Sequence, residues 1–236
     1  MRPIFIQAME LLGDEQEDSC VRDAAAAMLS VALDAGLADT ATALALFRWA
    51  TGPGNGRSWV LPQSLAKVRS EKIAVEAVGL LRLEDTSDDV RNTAIDVLSG
   101  VNAAFVDDQT LVALAGWDVQ AEQLARVVEA AHQGRGVNQD VLVEIRDRWM
   151  ASEILEARLG SIAVAALTTF SAPYWRLVIQ DQAARVRAEG VRLLAKEGDP
   201  HQSIRIISER VVAEPVNVVK AEMLSALGKL VMRLES

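Results

Sequence analysis

Apolar residues in this chain recur at intervals of three and four, and no stretch shows the period-two alternation of a strand bounded by turn residues. That period predicts short helices at about residues 3–12, 18–35, 37–50, 62–82, 88–103, 107–115, 118–133, 138–150, 152–170, 173–180, 181–197, 200–213 and 216–234. Start signals stand where such helices need them. Asp18 or Ser19 precedes the second, Ser87 or Asp88 precedes Val90-Arg91, and Pro173 and Pro215 fall near first turns. Gly13, Gly36, Gly134, Gly136 and Gly198-Asp199-Pro200 mark the turns between them. Residues 51–59 form the one long irregular connection.

Several of these helices share one pattern. Val21-Arg22, Val90-Arg91 and Val186-Arg187 align with Val219-Lys220, where lysine replaces arginine. Three residues on stand Ala25, Ala94, Gly190 and Met223; seven residues on stand Leu29, Leu98, Leu194 and Leu227. Ala157-Arg158 fits loosely, with Ser161 and Ala165 at those places. The intervals between successive basic residues are 69, 67, 29 and 33, so the first two span about two periods. Spacing alone puts intermediate units near Arg57 and Arg126, whose neighbours do not match. On a helix, Val90, Ala94, Val97, Leu98 and Val101 fall in one stripe about 100° wide, with Arg91 at its edge. In the last helix the pattern sets Met223, Leu224, Leu227, Leu230, Val231 and Leu234 on one face. Glu222, Ser225, Lys229, Arg233 and Glu235 lie on the other, as a terminal cap requires.

The series resembles HEAT repeats, whose second helix commonly reads Asp-x-x-Val-Arg-x-x-Ala-x-x-x-Leu. Asp88-Asp89-Val90-Arg91-Asn92-Thr93-Ala94-Ile95-Asp96-Val97-Leu98 is the best copy, and residues 18–29, 182–194 and 217–227 are weaker ones. The resemblance implies an all-α fold: a right-handed superhelix, HEAT- or armadillo-like, of about six or seven helical pairs. It would run as a single repeat domain over residues 1–236, its second helices lining a concave surface that binds macromolecules. Arg22, Arg91, Arg158, Arg187 and Lys220 read either as a cationic row facing a ligand or as a ladder between repeats. The resemblance implies the ladder, with acids such as Asp18, Asp88 and Asp181.

Composition agrees with helix-on-helix packing: 50% hydrophobic residues and only 4% aromatic. Charge adds an asymmetry. The net charge is −9, and residues 1–118 hold 18 acidic against 9 basic residues while residues 119–236 hold 15 of each. Phosphate backbones are bound by concentrated basic surface, so this balance points away from nucleic acid. The acidic half is either a solubility device or a face that meets a basic partner protein. Apolar runs at residues 24–33 and 162–170 fall short of the ~20 residues a membrane span needs. Gln7 and Glu10 interrupt any leader-like run at the N-terminus, and the single Cys20 excludes an internal disulfide framework. These features are expected of a cytoplasmic protein.

Candidate chemistry is sparse. The acidic groups at residues 14–18, 85–89 and 107–108 all precede predicted helices, where acids cap free amides, and none has calcium-loop spacing. Cys20 has no histidine within ten residues, and His132 and His201 have no local partner, so neither a dyad nor a zinc site is expected. The glycines at 52, 54 and 56 lack the Gly-Lys-Ser/Thr of a phosphate loop. Arg57 and Trp59 in that connection read as interface anchors, or else Trp59 folds inward to seal two helices. The other tryptophans, Trp49, Trp117, Trp149 and Trp175, fall near helix ends and are expected as plugs between repeats. The expectation is therefore a non-enzymatic scaffold or adaptor without cofactor or metal, its oligomeric state open. The alternative is a HEAT-like enzyme of the alkylpurine DNA glycosylase kind, for which Trp117-Asp118 would be the residues of interest, and the charge balance disfavours it.

Overall fold

A computed structural model describes residues 2–14, 16–52, 61–83 and 85–235. Among the described residues there are fourteen α-helices, two short 3-10 turns and no strand. The helices are α1 (Arg2–Gly13), α2 (Ser19–Asp34), α3 (Thr40–Thr51), α4 (Leu61–Ala66), α5 (Glu71–Arg82), α6 (Asp88–Leu98) and α7 (Asp108–Leu114). They continue with α8 (Ala121–Arg135), α9 (Gln139–Met150), α10 (Leu155–Ala165), α11 (Ala172–Gln180), α12 (Ala184–Glu197), α13 (Pro200–Val211) and α14 (Asn217–Glu235). Two compact units contain them: residues 1–114 with 126–136, and residues 115–125 with 137–236.

In the first unit, α1 and α2, α3 and α4, and α5 and α6 form helical hairpins, and like helices of neighbouring hairpins also touch: α1 with α3, α3 with α5, α2 with α4, α4 with α6. Leu29, Leu46, Phe47, Leu65, Ile73, Leu81, Ile95 and Leu98 are fully buried there. Side-chain caps begin the helices: Asp18 accepts from the Cys20 amide at 2.8 Å, Asp39 from Thr42 at 2.9 Å and Ser87 from Val90 at 3.4 Å. The end of α2 explains why α3 starts later than its apolar pattern predicts. Gly36 sits at φ +67, and the amides of Gly36 and Leu37 turn back to Leu33 and Ala32 oxygens. This is a Schellman closure, which only glycine enters without strain.

The helix predicted over 62–82 is two helices, because Ser70 interrupts it. Ser70 caps α5 through the Ile73 amide, while its own amide donates to Asn102 Oδ1 at 2.9 Å. Asn102 is fully buried, and its Nδ2 donates to the Leu65 oxygen at 3.3 Å. The predicted helix at 88–103 likewise stops early. The α6 helix ends at Leu98, and Val101, expected in its apolar stripe, lies in a following 3-10 turn and is exposed.

The second unit repeats the scheme with α9/α10, α11/α12 and α13/α14; α10, α12 and α14 also pack in succession, as do α11 and α13. One core joins Leu159, Ile162, Trp175, Val178, Val186, Leu194, Ile206, Met223 and Leu230. Gly160 lets α10 approach the start of α8, since a Cβ there would lie 2.7 Å from the Ala121 oxygen; at Gly190 it would run into Val178. The last helix departs from its predicted cap. It buries Val219, Met223, Ala226 and Leu230 but leaves Leu224, Val231 and Leu234 outside, so its apolar surface is wider than the face it packs.

One register runs through these second helices. Arg22, Arg91, Arg158, Arg187 and Lys220 are each the fourth residue of α2, α6, α10, α12 and α14. In α4 and α8 the fourth place belongs to Ser64 and Leu124, not to Arg57 and Arg126 as the spacing predicted. Three residues beyond the basic position, Ala25, Ala94, Ser161, Gly190 and Met223 are all buried.

Candidate interaction surface

The basic residue at the fourth helical place is most elaborated in the second unit. Arg158 Nε faces Asp181 Oδ2 at 2.8 Å, both side chains almost wholly buried. Arg158 also donates through Nη1 to the Ser152 and Glu153 oxygens at 3.0 and 2.8 Å. Arg187 repeats this with the Asp181 and Gln182 oxygens at 2.8 and 3.1 Å. Its Nε and Nη2 then form a two-pronged pair with Glu214 at 2.8 and 2.6 Å. Each arginine thus clamps the carbonyls five and six residues behind it and an acid from the linker ahead. The two acids occupy equivalent places, for Asp181 accepts from the Ala183 amide at 2.7 Å and Glu214 from the Val216 amide at 3.0 Å. Burial by itself would raise the Glu214 pKa, but the hydrogen bonds from Arg187 and the Val216 amide, with the charges of Arg187 and Arg210, hold it below the ordinary glutamate value.

In the first unit the same place is less enclosed. Arg91 donates to the Leu83 oxygen at 3.1 Å. Arg22 is half-buried beside a cleft of about 830 Å³ lined also by Met9, Leu12, Leu44, Arg48 and Trp49. Arg48 at its edge pairs with Glu76. Lys220, in the second unit, is in no ion pair among the described residues. Arg57 and Trp59, the anchors expected from the sequence, lie outside the described residues.

The acidic groups are placed for helix capping. Asp18, Asp39 and Asp107 accept amide hydrogens at helix starts, and Asp88 and Asp89 lie in the first turn of α6. Backbone and hydroxyl hydrogen bonds from Thr42 and Thr110 hold the Asp39 and Asp107 pKa values below the usual aspartate range. Other acids pair with bases one repeat away: Asp34 with Lys67, Asp96 with Arg126, Asp108 with Arg135. Asp23, Glu71, Asp85 and Asp88 are exposed and in no ion pair among the described residues.

Cys20 is exposed and unbridged. Among the described residues no cluster of three or more His, Cys, Asp or Glu could hold a metal ion. Asp118, the acid of the enzyme alternative, accepts from Ser152 Oγ at 2.6 Å and so anchors the turn before α10. Trp149 is fully buried with its indole N–H on the Ala115 oxygen at 2.9 Å, and Trp175 meets Tyr174 edge-on at 5.1 Å.

One feature escaped the sequence reading. Arg146 is buried, lies over the Tyr174 ring at 4.6 Å and donates to Asp147 and Thr168. It borders an open cavity of about 470 Å³ with Met150, Pro173 and Leu177. Nothing in the run Glu144-Ile145-Arg146-Asp147-Arg148 marks one of its charges as interior. No helix among the described residues is long and apolar enough to cross a membrane.

No protein-family model and no curated protein sequence matches the chain. Its fold is similar to that of the archaeal HEAT-like repeats protein from Thermococcus onnurineus NA1, with a TM-score of 0.52 and 12% identity over 96% of each chain. The chain therefore has a HEAT-like repeat fold.

Proposed function

We propose that this chain is a non-enzymatic scaffold that binds another protein through its acidic N-terminal half, the partner presenting a basic surface. The unbalanced charge of residues 1–118 carries the reading: 18 acids face 9 bases, and Asp23, Glu71, Asp85 and Asp88 stand exposed outside any described ion pair. A helical-repeat fold supports it, since stacked hairpins offer extended surface for macromolecules. Capping accounts for Asp18, Asp39 and Asp107, and first-turn placement for Glu71 and Asp88, which leaves Asp23 and Asp85 as acids that no helix start requires.

Such a contact is steered by charge, so it weakens as salt screens it. The tagged 236-residue chain, incubated with its native lysate at low salt, is expected to retain basic proteins that elute as sodium chloride rises. Replacing Asp23 and Asp85 together by lysine should reduce that retention with helicity unchanged. A retained partner indifferent to salt and to both substitutions would contradict the electrostatic contact; turnover of a small substrate would end the scaffold reading.

A further inference from the structure

The outward face of α14 is apolar at its centre and charged at its ends. Leu224, Val231 and Leu234 are 58%, 46% and 41% exposed, Ala221 and Gly228 are exposed, and Leu227 is half-buried. At about 100° per residue these six share one side of the helix, roughly 120° round from the buried stripe of Val219, Met223, Ala226 and Leu230. Lys220 and Glu235 lie on the same side at opposite ends, and neither is in an ion pair among the described residues. Glycine weakens a helix interior. Yet Gly228 stands in the middle of this one, and beyond the backbone of its own helix and its chain neighbours nothing lies within 4 Å of where its Cβ would be. No described neighbour requires it.

These residues are arranged symmetrically about a point between Leu227 and Gly228. If a second helix of the same sequence runs antiparallel across that point, Leu224 meets Val231, Ala221 meets Leu234, and the larger Leu227 meets Gly228. Lys220 at one end then meets Glu235 of the other helix, and the reciprocal pair forms as well. An arbitrary partner would owe nothing to this symmetry; a copy of the chain satisfies it twice over.

We propose that α14 is a homodimerisation helix, pairing antiparallel with α14 of a second copy about a two-fold axis beside Gly228. The contact is isologous, each residue and its counterpart meeting once in each direction. A single helix pair sits at the small end of specific interfaces, so the dimer is reversible, with dissociation expected on the order of tens of micromolar.

Sedimentation equilibrium of the 236-residue chain from about 5 to 300 micromolar tests it. The apparent mass should rise from the 25.5 kDa of one chain towards twice that value. Leu224→Glu should weaken association at least about tenfold while circular dichroism stays unchanged. Lys220→Glu alone and Glu235→Lys alone should each weaken it about threefold or more, and the two together should restore it. A chain that remains at one-copy mass throughout overturns the proposal. Dimers that survive Leu224→Glu also overturn it, because they use another surface. Failure of the double charge swap to restore association rejects the antiparallel register.

Discussion

Arg187 and Glu214 show what a buried charge can and cannot contribute. Both are taken out of water, and their attraction does little more than offset that loss. Removing one partner leaves the other uncompensated, at about 3–5 kcal/mol, whereas replacing both by apolar residues of similar size is often neutral or stabilising. Urea unfolding should therefore show Arg187→Met and Glu214→Gln each losing about 3 kcal/mol or more, and Arg187→Met with Glu214→Leu recovering most of it. The depressed Glu214 pKa adds a pH signature. Its contribution is fully present above the ordinary glutamate value of 4.5 and disappears as pH falls through the lower folded-state value. Melting temperature measured from pH 6 down to about 3 should fall less steeply in Glu214→Gln than in the wild type. The arginine's place was legible in the sequence, because a Val-Arg pair at a helix start with a small residue three further on recurs. Glu214 was not among the acids expected to face it. It comes from a linker whose path no helical period describes.

At the scale of elements, helices were legible wherever apolar spacing ran uninterrupted, and the misses lie where a single polar side chain decides. Ser70 and Asn102 split one predicted helix in two, through contacts 32 residues apart that the period of either segment does not contain. Asn102→Leu should cost about 2–3 kcal/mol in urea unfolding, since it strands the buried Ser70 amide without a partner. Glycines separate in the same way. Gly160→Ala drives a methyl group against the Ala121 oxygen and should destabilise by about 1–3 kcal/mol. Gly79→Ala, mid-helix in α5 with nothing beyond its own helix backbone and chain neighbours within 4 Å of the new Cβ, should stabilise by about 0.5–1 kcal/mol. A reversed order of those two variants in thermal unfolding would refute the packing described for α10. The apolar pattern of α14 was also visible; how much of it lies outside the packed stripe was not. Periodicity identifies a face without saying what covers it.

Over the whole chain, charge follows the repeat. Arg48–Glu76, Lys67–Asp34, Arg126–Asp96, Arg176–Glu209 and Arg192–Glu222 all join residues 28 to 33 apart, one repeat to the next. These pairs are at least one-third exposed on one or both sides, and such pairs are worth about 0–1 kcal/mol each. Repulsion within the acidic half should therefore outweigh them. Raising sodium chloride from about 0.02 to 0.3 M is expected to raise the melting temperature by a few degrees in scanning fluorimetry. A fall would mean that the exposed pairs dominate. The asymmetry itself was plain from the sequence; which acids serve as caps and which stand free depends on hydrogen bonds that the charge pattern does not contain.

The arginine clamp has a consequence for chain length. Asp181 and Glu214 do the same job 33 residues apart, each holding the amide two positions on and meeting an arginine from behind. A chain lacking residues 182–214 would carry Asp181 directly to Pro215, with that carboxylate still opposite Arg158 and α14 taking the seat of α12. Such a shortened chain should fold with one hairpin fewer, whereas excising a few residues more or fewer would bring α14 to the seat of α12 in the wrong register. The protein is in this sense cut to a modulus, and tolerates editing by whole links.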